Sequence, residues 1–167
     1  ISISYGEKLK TGNLYCLYCI SSYGFEKPSD FYFDQKNLGF GSHCLLIKQP
    51  GVFIERLETE LQNLGYHFDH GFAKYYKEEE QLTNLTPFHK NQSYEHQKEF
   101  RFFVENDKDE PLKINIGSMK SYSEIFESKD LHTLELRPKN WDSIILEQQI
   151  PMYKTSKIWL FFNSLRG

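Results

Sequence analysis

The 167-residue sequence lacks the common signatures of nucleotide and hydrolase chemistry. It has no Gly-x-Gly-x-x-Gly fingerprint and no Walker-type loop, so neither of the usual glycine-rich phosphate cradles is present. It has no Gly-x-Ser-x-Gly elbow, which sets aside the α/β-hydrolase nucleophile. A His-Glu-x-x-His helix for a catalytic zinc is missing as well. No apolar run reaches the roughly 20 residues that a membrane-spanning helix needs, and no signal peptide is visible. No membrane partner is therefore expected. Basic residues are not in excess: 20 Lys and Arg stand against 23 Asp and Glu, for a net charge of −3. That balance gives no electrostatic footprint for nucleic acid. The chain opens on Ile1 rather than Met, which is compatible with a fragment or a processed product and leaves open whether an N-terminal element is missing.

Cysteine is scarce and odd in number, with Cys16, Cys19 and Cys44 only. This excludes a complete disulfide framework and points to a reducing, cytoplasmic setting. Cys16-Leu-Tyr-Cys19 has the spacing of a redox or zinc pair, but it lies in an apolar run. Residues three apart on a strand face opposite ways, which suits one shared metal badly. His67 and His70 have the same defect. Buried, reduced and metal-free cysteines are the expectation.

Aromatics are what the chain has in quantity, 14 Phe, 11 Tyr and 2 Trp. With 39% hydrophobic residues they argue for one globular domain spanning 1–167, with residues 1–12 flexible and an aromatic C-terminal segment, 139–167. A chain of this length buries about two thirds of its unfolded surface. Residues 13–20 and 43–48 read as buried strands, joined by a loop whose turn signal is Lys27-Pro28-Ser29-Asp30. Pro50 opens a helix over 51–64, with Ile54, Leu57 and Leu61 on its apolar side and Gly65 closing it. Residues 66–76 read as a third strand with a bulge or bend at Gly71, and 77–81 as a solvated helical turn. A central strand follows at 97–105, with 112–116 returning beside it as a hairpin. A short helix within 117–128 packing Ile125 and Phe126, and a strand over 131–136, complete the expected order. Ile158–Phe162 is either a last strand or an interaction surface. Hairpins outnumber crossovers, so the fold class is α+β, a mainly antiparallel mixed sheet with one long helix packed on it.

The chemistry gathers in residues 86–105. From Gln97 onward the strand alternates, with Gln97, Glu99, Arg101 and Phe103 on one face and Phe100, Phe102 and Val104 on the other. An amide, a carboxylate and a guanidinium thus share a face, each roughly 7 Å from the next. The plainest reading of Glu99 and Arg101 is a cross-strand ion pair at a solvated surface, worth little. Lys90 and Lys98 read most simply as solvated lysines, and Glu78-Glu-Glu80 as a solvated face.

Two resemblances go further. Phe72-Ala-Lys-Tyr75, then Lys90, Tyr94 and Glu99-Phe100-Arg101 resemble an uncharacterised bacterial and phage family linked to abortive infection. That family's pattern is a Lys, an aromatic segment and Glu-aromatic-Arg, and here it covers residues 39–117. It implies a prokaryotic or phage context and no particular reaction. Gln97-x-Glu99 is similar to the Gln-x-Glu signature of ADP-ribosyltransferases. The similarity implies that NAD is consumed, with Glu99 stabilising the cationic ribose as nicotinamide leaves and Gln97 orienting the acceptor. It further implies that His43, with Tyr66 or Tyr75, grips and stacks on NAD. Lys90 and Arg101 join these as nucleotide contacts. The Arg-containing version of the signature has an Arg on an early strand, whereas the first Arg here is Arg56 in the helix.

Two classes of function are open on these readings. One is an NAD-consuming enzyme in which His43, Tyr75 and Glu99 converge on one cleft. The other is a small binding protein that inhibits a protein partner in phage–host defence or anti-defence through its aromatic tail and acidic surface.

Overall fold

Residues 11–21, 33–80, 85–108, 110–133 and 157–163 are described by a computed structural model of the chain. Their organising element is an antiparallel sheet of six strands. In chain order these are β1 (Gly12–Ser21), β2 (His43–Ile47), β3 (Phe68–Phe72), β6 (Glu99–Glu105), β7 (Ser123–Glu127) and β8 (Lys157–Asn163). Their spatial order is β3-β6-β1-β8-β2-β7. A second, two-stranded parallel sheet is formed by β4 (Lys74–Tyr76) and β5 (His89–Asn91). The single long helix, α1, spans Pro50–Asn63. The fold is α+β, as its pattern of hairpins predicts.

Alternation in β1 and β6 sorts their side chains onto two faces. The strands run antiparallel from Gly12 opposite Glu105 to Tyr18 opposite Glu99. Leu17 and Cys19 share one face with Phe100, Phe102 and Val104, and α1 covers that face with Phe53, Leu57 and Leu61. The opposite face carries a second core around Tyr18, Ile20, Phe33, Cys44 and Leu131. It also carries Cys16, Glu99 and Arg101. At Gly12 the neighbouring backbone leaves no room for a side chain: a Cβ there would lie 2.2 Å from the Val104 carbonyl oxygen. Only glycine fits that contact.

The helix starts at Pro50, where the missing N–H costs nothing. It ends in a Schellman turn: Gly65 sits at φ 75°, its N–H donates to the Gln62 carbonyl, and Tyr66 N–H donates to the Leu61 carbonyl at 2.9 Å. Its buried stripe is Phe53, Leu57 and Leu61, each four residues on. Ile54, expected in that stripe, is half-buried at its edge, and Phe53 takes its place.

Several expected elements form differently. The strand expected over 66–76 is two strands, and the break falls at Ala73 rather than Gly71, which stays in the ladder opposite Arg101. The cause lies in β6. Lys98 adopts a left-handed conformation, φ 40° and ψ 52°, so β6 begins at Glu99 and offers β3 nothing further to pair with. Ala73 N–H takes the Glu99 carbonyl at 2.9 Å, and Lys74 N–H then turns to the Phe88 carbonyl at 2.7 Å. Residues 112–116 form no ladder with β6. Both edges of β6 are already filled, by β3 and β1. Leu112, Ile114 and Ile116 instead lie half-buried on the helix-side core. The helix expected within 117–128 is replaced by β7, paired to β2, and Ile125 is 70% exposed rather than packed. Ser128–Thr133 is a 3-10 turn where a strand was expected from 131, and residues 134–136 lie outside the described residues. The charged segment 77–81 makes a turn at 78–80, closed by Glu80 N–H on the Lys77 carbonyl. The 157–163 backbone is a strand, inserted between β1 and β2 in the middle of the sheet. The turn at 27–30 and residues 1–10 also lie outside the described residues.

Candidate functional site

The site is built where a crossing segment meets β6. Asn91 caps a 3-10 turn, Gln92–Gln97, by accepting from Ser93 N–H at 2.9 Å. The turn hands over to β6 through left-handed Lys98, whose N–H donates to Glu95 and whose carbonyl accepts from Cys19 N–H at 2.9 Å. Those two bonds hold a backbone conformation that a lysine rarely adopts. They set Gln97 and Glu99 side by side on one pocket. The sequence expectation that the two share a strand face is corrected in its geometry, since Gln97 stands in the turn before the strand.

Glu99 is only 9% exposed and Arg101 6%. The surface ion pair expected from the sequence is a buried one. Arg101 directs Nε and Nη2 onto Glu99 Oε2, both at 2.7 Å. Its Nη1 donates to the carbonyls of Pro87 and His89, the latter at 3.3 Å. Lys90, from β5, places Nζ 2.6 Å from Glu99 Oε1 and also donates to Gln97 Oε1. The same ammonium lies 5.0 Å from the Tyr94 ring centroid. Tyr75, from β4, accepts the Glu99 backbone N–H at its hydroxyl, 2.9 Å away. Burial holds its phenol above the usual tyrosine range, with the Glu99 charge adding to the effect.

Cys16 sits opposite Arg101 across β1 and β6. Its thiol is pushed up to about 11, first by burial and then by the charge of the Glu99 carboxylate. Three side-chain donor contacts therefore converge on Glu99, two from Arg101 and one from Lys90. A carboxylate has about four acceptor positions, so one is left over.

The pocket holds about 170 Å³ and is lined by Cys16, Tyr18, Asn37, Phe40, Gln97 and Glu99, with Leu17 below. Asn37, Cys16 and Phe40 are functional candidates that the sequence reading missed. Asn37 comes from the 3-10 turn Gln35–Phe40, and no local pattern distinguishes it from any loop asparagine. A larger groove of about 530 Å³ lies on the helix side, between α1 and residues 111–119. Its walls are mainly core side chains, and no charged cluster lies in it.

Of the expected site residues, Gln97, Glu99, Tyr75, Lys90 and Arg101 converge. His43 and Tyr66 do not. His43 is exposed on β2, three strand spacings across the sheet from β6 and three residues along from Leu46, which is level with Glu99, and it lies on the helix-side face. Its Nδ1 lies 2.9 Å from Ser42 Oγ. Tyr66 follows α1 and packs on the helix-side core. The cleft expected to join His43, Tyr75 and Glu99 is not formed.

All three cysteines are free, Cys19 and Cys44 buried and Cys16 half-buried. Among the described residues no group of three or more His, Cys, Asp or Glu is placed to hold a metal ion. No helix among them is long and apolar enough to cross a membrane. Comparison with protein-family models, curated proteins and solved structures gives no match to the chain.

Proposed function

We propose that the pocket beside Glu99 is the active site of an NAD-consuming, ADP-ribosyltransferase-like enzyme acting in the cytoplasm in a bacterial or phage conflict system. The observation that carries this reading is that Gln97 and Glu99 line one pocket while Lys90 and Arg101 immobilise the carboxylate. Breaking the bond between ribose and nicotinamide sends the electron pair out with the base and leaves positive charge on the anomeric carbon. A carboxylate already fixed in place stabilises that charge without reorganising. A ribose hydroxyl entering the pocket donates to the acceptor position that Arg101 and Lys90 leave on Glu99. Gln97 positions the acceptor, a water or a protein group, which attacks the sugar and gives up a proton. Tyr75 acts on Glu99 through its backbone and does not stack on the nucleotide. The pocket encloses one ring, and the rest of NAD lies outside it.

The test is nicotinamide release from NAD by the wild-type chain, compared with Gln97→Ala and Glu99→Gln at a temperature where circular dichroism shows all three folded. Loss of release in both variants supports the reading. No release by the wild type, with or without added acceptor protein, retires it.

A second reading has its own observation. β7 is an outer strand of the sheet and exposes Ile125, the arrangement by which a binding protein adds its edge to a partner's strand. On that reading Ile125→Lys abolishes capture of a protein partner. NAD consumption in that variant stays unchanged if the enzyme reading is right.

A further inference from the structure

The helix side of the sheet holds a groove of about 530 Å³ that the chemistry at Glu99 does not use. Residues 111–119 form one wall, and α1 with the start of β1 forms the other. The first wall alternates. Leu112, Ile114 and Ile116 turn half-buried onto the core, while Pro111, Lys113 and Asn115 are exposed. In an extended run, those three apolar side chains make a row roughly 14 Å long. Among the described residues, no backbone–backbone hydrogen bond holds 111–117. The run is tied at its ends, where Asn13 Nδ2 donates to the Glu110 carbonyl at 3.1 Å and Arg56 Nη1 to the Ser118 carbonyl at 2.8 Å. Side-chain contact alone holds its middle against the helix-side core.

The wall defines what fits. Phe53, Leu57 and Val104 form its floor, with half-buried Tyr15 and Met119 nearer the opening. Burial holds the Tyr15 phenol above the usual tyrosine range, so it adds no charge. The amide and the ammonium of the wall, Asn13 and Lys113, stand toward the end where the run meets Glu110. The end at Ile116 and Met119 is apolar. Asn13 is already engaged, since its Oδ1 also accepts from Asn106 Nδ2 at 2.8 Å. Lys113 is the single charged residue of the wall, and Asp107 and Glu110 lie outside it. Its ammonium has no hydrogen-bond or ion-pair partner among the described residues. A volume of about 530 Å³ is within the usual range of ligand sites, and more than three times the roughly 150 Å³ that encloses one benzene-sized ring. A ligand with polar groups along its length would bury them unmet, and a cationic end would meet like charge.

We infer that the groove binds a single-chain aliphatic carboxylate, a fatty acid, with its chain along Leu112, Ile114 and Ile116 and its carboxylate at Lys113. Burial of the chain supplies the affinity, and Lys113 sets its direction. The inference is independent of the reaction proposed at Glu99, which lies on the opposite face of β6 from this core.

The experiment titrates the full chain with decanoate, kept below micelle formation, and follows methyl chemical shifts. Saturable binding is expected, with the shifts concentrated at Leu112, Ile114, Ile116 and Met119. Each buried methylene carries about a fourfold gain in affinity, so hexanoate binds at least roughly tenfold more weakly. Decyltrimethylammonium, the same chain with the opposite charge, binds less well than decanoate, and Lys113→Glu inverts that order. Lys113 is exposed, so this variant keeps the fold. Ile114→Trp fills the groove and weakens decanoate by roughly tenfold or more. Where Ile114→Trp does not fold, the chain-length dependence and the Lys113→Glu inversion decide. No saturable binding, shifts centred outside the groove, equal binding of hexanoate, or an order unchanged in Lys113→Glu overturns the inference. Self-association of the chain without ligand, broadening the same methyls, assigns the groove to a second copy and overturns it as well.

Discussion

Arg101 grips Glu99 from two residues along the same strand, with Nε and Nη2 both 2.7 Å from one carboxylate oxygen. Same-strand neighbours on one face are usually held apart by water. Here the segment 85–97 lies over them, and its own backbone carbonyls at Pro87 and His89 take the remaining guanidinium nitrogen. The Lys, aromatic, Glu-aromatic-Arg pattern is thereby one physical unit. Lys90, Tyr94, Glu99 and Arg101 interact with one another, and Phe100 points the other way into the helix-side core.

Glu99→Gln is expected to destabilise the fold by about 3–5 kcal/mol, because it leaves two cations at a buried site without their anion. Urea unfolding measures it. A loss below about 1 kcal/mol would mean that the pair behaves as an exposed one. Simultaneous removal of Lys90 and Glu99 should cost less than the two single losses added together, since each single change strands the other partner.

Lys90→Met is expected to loosen residues 89–97 more than it lowers global stability. Lys90 is the side chain that ties β5 and the following turn to β6. Hydrogen exchange should show faster opening of that segment with little change in β1. Uniform loss of protection across the sheet would contradict this assignment.

The helix predictions separate Leu61 from Ile54. Leu61→Ala, at a fully buried position, should cost about 2–5 kcal/mol. Ile54→Ala should cost clearly less, because Ile54 lies at the edge of the buried stripe. Gly65→Ala should cost about 1 kcal/mol through its positive φ alone. Thermal unfolding of the three variants gives the ranking.

The cysteines make stability fall on the alkaline side. Cys16 and Cys44 both hold their protons up to about 11 in the folded chain, against an ordinary value of 9.0, chiefly through burial. The folded state binds these protons more tightly, so the stabilisation is fully present below pH 9. It declines as the pH rises from 9 through 11, where the unfolded thiols are already ionised. Denaturant midpoints against pH should show that decline, and Cys16→Ser should reduce it. In step with this, Cys16 should react slowly with a thiol reagent near pH 7. Fast labelling of folded protein at neutral pH would refute the assignment.

Local pattern alone determined much of this protein. The strands at 13–20 and 43–48, the Pro50 start and Gly65 stop of the helix and the α+β class are all legible, because each rests on alternation or capping within a few residues. What pattern leaves open is pairing. Residues 112–116 alternate well enough for a strand, yet they form none because β3 and β1 already hold both edges of β6. Ile125 reads as a core residue and lies exposed on an outer strand. Burial of charge is equally non-local. Glu99 and Arg101 read as surface residues by their type, and only the segment that crosses them, anchored through Lys90, removes them from water. Asn37 and Cys16 reach the same pocket from turns and strands 60 or more residues from Gln97 and Glu99 in the chain. Tertiary structure decided the site, since a site of this kind is a meeting of strand edges and a crossing loop, and neither is encoded within a single window of sequence.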